Sequence, residues 1–184
     1  ATWTYPETIT APVFAPNNTH LFSSGEFYSA SCTANTCIAA GYYVDDGSVA
    51  RPLLAVSINA GMSWTFPEFI TAPVFTPNNS NPFSEGAFTS ASCTANTCIA
   101  VGNYVDSTVV SRPLLAVSTD RGATWTYPES ITAPVFTPNN SHPFSRDGYF
   151  RGASCTANTC IAVGTYFDGT APRPLLAVST DRGA

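Results

Sequence analysis

The chain holds 184 residues with a formal net charge of −5, and its seven basic residues are all arginine. An acidic, lysine-free surface lacks the dense positive footprint of a nucleic-acid binder. No apolar run approaches the roughly 20 residues of a membrane-crossing helix, so neither nucleic-acid binding nor membrane insertion is expected.

The chain is one text written three times. Trp3, Trp64 and Trp125 open copies reading WTYPETITAPVFAPNN, WTFPEFITAPVFTPNN and WTYPESITAPVFTPNN, and SCTANTCIA and RPLLAVS follow in each. A period near 60 residues predicts a repeat architecture, in which one supersecondary unit buries its faces against its neighbours. The repeats run at about 3–63, 64–124 and 125–184, within a single domain spanning 1–184. The chain opens on alanine with no visible signal peptide, which reads as a mature or excised product.

Strands in the first full repeat are expected near 27–32, 37–44, 51–57 and 63–67. The second repeat shows the same order. AFTSASC (87–93) is a short β-type run, TANT (94–97) a polar turn, and CIAVGNYV (98–105) a second run. A polar loop over 106–111 leads to RPLLAVS (112–118), and TDRGA (119–123) turns the chain into TWTYP (124–128). Four short strands joined by hairpin turns make an antiparallel sheet. The middle two are apolar at nearly every position, which predicts cover on both faces. Four-stranded sheets stacked about an axis supply that cover, so the expected fold is an all-β propeller with three blades per chain. Fifteen prolines and twelve glycines break any helical period. A β-helix remains a remote alternative.

Cys32/Cys37, Cys93/Cys98 and Cys155/Cys160 each bracket Thr-Ala-Asn-Thr. A disulfide across a tight hairpin suits this spacing and implies an oxidising, extracytoplasmic compartment. Buried cytosolic thiols are the alternative. Zinc is not expected: the only histidines are His20 and His142, and Asn81 stands at their place in the second repeat. No metal or cofactor is expected.

Ser118, Asp120, Gly122 and Trp125 fit S-x-D-x-G-x-T-W. This pattern resembles the Asp-box, the bacterial-neuraminidase repeat of sialidase-like propellers. The implied role is structural: the carboxylate accepts amides inside the turn, Gly takes a positive φ, and Trp packs on the sheet. The first copy has Ser57, Asn59, Gly61 and Trp64, with Asn in place of Asp. The third begins with Ser179, Asp181 and Gly183 and stops, and its missing Trp stands at the other end of the chain as Trp3. That split implies "velcro" closure, in which the N-terminal strand completes the last blade. Three blades are too few for one ring, since propellers begin at about four. The expected partner is a second copy, head to tail, giving six blades. Bacterial fucose-binding lectins resemble this plan, with two-blade chains assembled into a six-blade ring. The alternative is an excised or engineered piece of a longer array.

Candidate ligand residues collect where the second strand of each blade turns into the third and in the long connections between blades. They are Asp45, Asp106 and Asp168; Arg51, Arg112 and Arg173; Tyr43, Tyr104 and Tyr166; and Asn17, Asn78 and Asn139. Arginines, carboxylates, amides and aromatic rings are the groups that hold sugars. Each arginine has a bland alternative, a pair with the neighbouring Asp. Each tyrosine has another, a place in the core. The asparagines could equally cap turns, and they also head N-x-S/T sequons. The sialidase resemblance implies an arginine cluster, a Tyr–Glu nucleophile pair and an acid Asp in one asymmetric site, whereas here each candidate recurs in every repeat. The expected function is therefore a non-catalytic, multivalent, lectin-like glycan binder. The alternatives are a structural or protein-interaction scaffold and, remotely, a sialidase-like glycoside hydrolase.

Overall fold

A computed structural model describes residues 22–67, 83–127 and 144–181. They form nine strands and, among the described residues, no helix. The strands are β1 (Phe22–Cys32), β2 (Cys37–Asp45), β3 (Ala50–Ser57), β4 (Phe83–Cys93), β5 (Cys98–Asp106), β6 (Ser111–Ser118), β7 (Arg146–Cys155), β8 (Cys160–Phe167) and β9 (Pro172–Ser179). They pair as three antiparallel sheets of three strands, in sequence order.

The sequence reading and the structure differ at both edges of the first two sheets. The first strands begin earlier than expected, at Phe22 and Phe83. Among the described residues the fourth run is reduced to one bridge, Val56↔Thr65 in the first repeat and Val117↔Thr126 in the second. Two backbone bonds of 2.8 Å close each bridge. The next hydrogen-bonded pair would lie two residues further along each strand, which needs amides from residues 67 and 128. Both are proline, which has no N–H to give.

Each cysteine pair faces across its first hairpin. Cys32↔Cys37, Cys93↔Cys98 and Cys155↔Cys160 are register partners. Their Cα atoms lie 4.0, 4.1 and 4.1 Å apart, and all three pairs are disulfide-bonded. That separation belongs to a non-hydrogen-bonded antiparallel pair, whose amides point away from the partner strand. The bonds fit an oxidising environment outside the cytoplasm.

The sheets stack in chain order. Ile38, Ala40, Leu54 and Val56 of the first meet Phe88, Cys98, Ala100, Tyr104 and Leu114 of the second. Ile99, Val101 and Val117 on the opposite face of the second meet Phe150, Cys160, Ala162, Tyr166 and Leu175 of the third. The middle sheet is thus covered on both sides, as its unbroken apolar runs require. Free strand edges are stitched as well as packed. The amides of Ala91 and Cys93 donate to Ser29 Oγ and Ser31 Oγ at 3.2 and 3.0 Å. Those of Ala153 and Cys155 donate to Ser90 Oγ and Ser92 Oγ at 3.2 and 2.9 Å. The sheets therefore converge along β1, β4 and β7, and the exposed edge of each later repeat is occupied by hydroxyls of the one before.

The turns after β3 and β6 share one design. In the second, the Gly122 amide donates to Ser118 Oγ at 2.7 Å, and the Thr124 amide donates to Asp120 Oδ1 at 2.8 Å. Trp125 Nε1 donates to the Gly122 carbonyl at 3.0 Å. Gly122 has φ of +87°, open to glycine without penalty. In the first, Asn59 Oδ1 accepts the Ser63 amide at 2.9 Å, so the amide oxygen does there what the carboxylate does later. Of the third, Ser179 and Asp181 are described, with Ser179 Oγ 2.6 Å from Asp181 Oδ1. Trp3 and Gly183 lie outside the described residues.

Candidate functional site

The β2–β3, β5–β6 and β8–β9 hairpins hold the arginines and aspartates singled out from the sequence. Asp45 and Asp106 end β2 and β5, Asp168 follows β8, and each Arg sits near the start of the next strand, so a short polar loop folds the pair together. Nε of Arg51, Arg112 and Arg173 donates to Oδ2 of Asp45, Asp106 and Asp168 at 2.7, 2.6 and 2.7 Å. The other carboxylate oxygen collects loop donors. Asp106 Oδ1 accepts the Thr108 amide, the Thr108 hydroxyl and the Val110 amide at 2.8, 2.6 and 3.1 Å. Asp168 Oδ1 accepts the Thr170 amide, the Thr170 hydroxyl and the Ala171 amide. Burial alone would raise the Asp106 carboxyl; the Thr108 hydroxyl, Arg112 and the loop amides outweigh it and hold it below the ordinary carboxylate range. At Asp168 the Ala171 amide leads, then the Thr170 hydroxyl, and the carboxyl is again held low.

This arrangement is the alternative the sequence offered, in which each strand-start arginine pairs with the neighbouring aspartate. Every carboxylate is buried and engaged by its own loop, and every arginine turns its Nε edge inward to it. Tyr43, Tyr104 and Tyr166 likewise take their alternative, a place in the core: all three are fully buried, and their rings stack on Phe22, Phe83 and Phe144 at 6.1–6.3 Å. A ring closed on both sides by core has no face left for a sugar. Asn17, Asn78 and Asn139 lie outside the described residues.

An open groove stands elsewhere, along the converging first strands. Its larger part, about 610 Å³, is lined by Tyr28, Ala87, Thr89, Asn103, Tyr149 and Arg151. An adjoining part of about 230 Å³ shares Tyr28, Ala87 and Asn103 and adds Tyr42 and Glu85. The larger volume falls within the range of about 300–1,000 Å³ typical of ligand pockets. Three β-bulges build it. The register of each first hairpin slips between Phe27/Ser29, Phe88/Ser90 and Phe150/Gly152. The extra residues are Tyr28, Thr89 and Arg151, and a bulge re-aims the side chain it carries. Opposite each bulge stands Gly41, Gly102 or Gly164, where an added Cβ would strike the backbone of the first strand.

The groove offers rings, a cation and amide and hydroxyl groups together. Tyr28 and Tyr42 stack at 5.7 Å. Arg151 lies 4.8 Å from the Tyr149 ring centre, and its Nη2 donates to Tyr149 Oη at 2.8 Å. Thr89 Oγ1 bonds the Phe150 carbonyl at 2.8 Å, joining the second repeat to the third. Partial burial, followed by the Glu26 carboxylate, pushes the Tyr28 hydroxyl up to about 12, so it remains a protonated donor at neutral pH. Such a surface can stack on a flat apolar ring face and hydrogen-bond the groups around its rim.

Sequence reasoning passed over these residues because bulges leave no simple motif. One signal was present. In otherwise matching strands the repeats change chemical type at 26/87/149 (Glu, Ala, Tyr), 28/89/151 (Tyr, Thr, Arg) and 42/103/165 (Tyr, Asn, Thr). Residues from all three sets line the groove. The scaffold is repeated; the groove is not.

No family model and no curated protein matches the chain. Solved structures do resemble its fold. A Trypanosoma rangeli sialidase in complex with 2,3-difluorosialic acid aligns over 89% of this chain and 27% of its own, at 16% identity and a TM-score of 0.55. The Trypanosoma rangeli sialidase in complex with the inhibitor DANA aligns over 94% and 29%, at 15% identity and 0.54. YCF48 bound to D1 peptide aligns over 95% and 43%, at 14% identity and 0.42. The chain thus spans less than half the length of these structures. The two sialidase likenesses establish the fold, a sialidase-like β-propeller.

Proposed function

We propose that this chain is a non-catalytic propeller module that binds carbohydrate in the groove along β1, β4 and β7. The observation that carries this reading is the groove lining: tyrosine rings at Tyr28, Tyr42 and Tyr149 beside Arg151, Asn103 and Thr89. A sugar ring has an apolar face that stacks on tyrosine and a rim of hydroxyls that amides, hydroxyls and guanidinium can bond. The groove draws on three different repeats, so one chain presents one asymmetric site rather than three equal ones. Multivalency then requires more than one chain. The Asp-box reading of the β3 and β6 turns accords with their structural hydrogen bonding, and the disulfides support a secreted or otherwise extracytoplasmic setting.

Binding of the disulfide-intact chain to a printed panel of oligosaccharides tests the reading. Tyr149→Ala and Arg151→Ala are expected to lose at least about tenfold in affinity for any glycan bound, equivalent to about 1.4 kcal/mol, with thermal stability little changed. Arg121→Ala, away from the groove, should bind as the parent does. An absence of binding across the panel at high protein concentration would favour a structural or protein-interaction scaffold instead.

A further inference from the structure

Among the described residues the contact between successive sheets occurs twice, and the series of described sheets is open at both ends. Phe88 of β4 sits on Ile38, Ala40, Leu54 and Val56 of the first sheet. Phe150 of β7 sits on Ile99, Val101 and Val117 of the second, with Leu115 packed alongside. Both phenylalanines are 0% exposed. Phe27 holds the same place in the first repeat and is 38% exposed. At the far end, Ile161, Val163, Leu176 and Val178 hold the places of the receiving residues. They are 38, 45, 58 and 55% exposed, against 3% or less for Ile99, Val101 and Val117. One end carries the insert and the other carries the seat.

The polar stitching points the same way. Cys93 donates its amide to Ser31 Oγ, and Cys155 donates to Ser92 Oγ. Ser154 is the next hydroxyl in that series, and the Cys32 amide is its first donor. The Cys32↔Cys37 pairing turns this amide toward the free edge of β1. The parallel series from Ser29 and Ser90 ends at Gly152, so an end-to-end junction keeps one of the two stitches.

We propose that a second copy of this chain seats its Phe27 on Ile161, Val163, Leu176 and Val178, head to tail, and that two copies close a six-repeat ring. The occupant is a second copy because each open end is the complement of the other, by a contact the chain already makes twice. Contacts of this heterologous kind form closed rings when the rotation returns to its start and open filaments when it does not. The junction also brings Tyr28 of the second copy beside Arg151, as Tyr28 stands beside Thr89 within the chain, and so carries the groove residues around the ring. The inference rests on sheet packing and stands whether or not the groove binds sugar.

Sedimentation equilibrium of the full chain across micromolar concentrations provides the test. The expected mass is twice 19.4 kDa. Leu176→Asp with Val178→Asp at one end, and separately Phe27→Asp at the other, should each weaken dimerisation by at least about thirtyfold while preserving the β-sheet circular dichroism. Both sites are exposed within a single chain, so each variant chain can still fold. Amide exchange on the unaltered chain supplies a second reading: dilution through the dissociation range should deprotect β1, β8 and β9 ahead of β5. A single-chain mass at every concentration overturns the proposal, as does a mass that grows without limit. Indifference of the dimer to Phe27→Asp would indicate face-to-face pairing and overturn the head-to-tail geometry, and uniform exchange on dilution would overturn the junction.

Discussion

Asp106 and Arg112 show how one ion pair can be read in two ways. In the linear chain an arginine and an aspartate at a strand end suggest a carboxylate- or sugar-binding surface. In the fold the carboxylate is buried, and Thr108, Val110 and Arg112 consume its acceptor sites. Removing one partner of a buried pair leaves a charge uncompensated, so Arg112→Ala is expected to destabilise the chain by about 3 kcal/mol in denaturant titration. Were it a free ligand-binding arginine, stability would hardly change. The same carboxylates predict a pH response. Asp106 and Asp168 are held below the ordinary carboxylate range by their hydrogen bonds. Their contribution is thus fully present above the unfolded-chain value near about pH 4 and is lost as pH falls through the folded values. Melting temperature should hold nearly level from neutral pH down to about 5 and fall below about 4. Asp106→Asn, less stable at neutral pH, should show a shallower acid limb. An equally steep limb in that variant would remove Asp106 from the account.

At the scale of the element, the turn of the first hairpin in each repeat was legible almost to the residue, although its first strand begins earlier than the sequence predicts. The cysteine spacing marked the turn, the apolar runs marked β2 and β3 and their counterparts, and the disulfides close the expected pairs. Each bridge spans a sequence separation of five, a short loop whose closure removes little unfolded-chain entropy. Replacing Cys93 and Cys98 together by alanine should therefore cost only about 2 kcal/mol, read from the denaturation midpoint under otherwise identical conditions. The fourth strand was less legible because its aromatic and β-branched residues signal β structure while Pro67 and Pro128 remove the amides that would extend it. Apolar pattern sets which face a strand buries; it does not count the ladder bonds available. The groove was less legible still. A bulge at Tyr28, Thr89 or Arg151 arises from the fit between two paired strands, and only the divergence between repeats hinted at it. The turn after β6 is local and behaves locally: Asp120→Ala removes the acceptor for the Thr124 amide and hydroxyl and should cost about 1 kcal/mol, as loss of a capping side chain does.

For the whole molecule, repetition places one sequence position in two environments. Val56, Val117 and Val178 are equivalent in sequence, each the second-to-last residue of its strand. The first two are 3% exposed because the following sheet covers them; the third is 55% exposed because its sheet is the last. Stability in such an array is approximately a sum of repeat terms and nearest-neighbour interfaces, so an identical change should cost different amounts at the covered and the open places. Val56→Asp and Val117→Asp each place a carboxylate between two apolar sheets and are expected to lose about 4 kcal/mol or more, enough to unfold a marginal domain. Val178→Asp leaves the carboxylate in water within its own chain and should alter the chain's intrinsic unfolding free energy by no more than about 0.5 kcal/mol, the ordinary range for an exposed substitution. Urea titration at a concentration low enough to keep chains apart separates this from any effect on association. Equal losses at all three positions would mean that the last sheet is covered within the chain, and the open-ended stack would have to be abandoned.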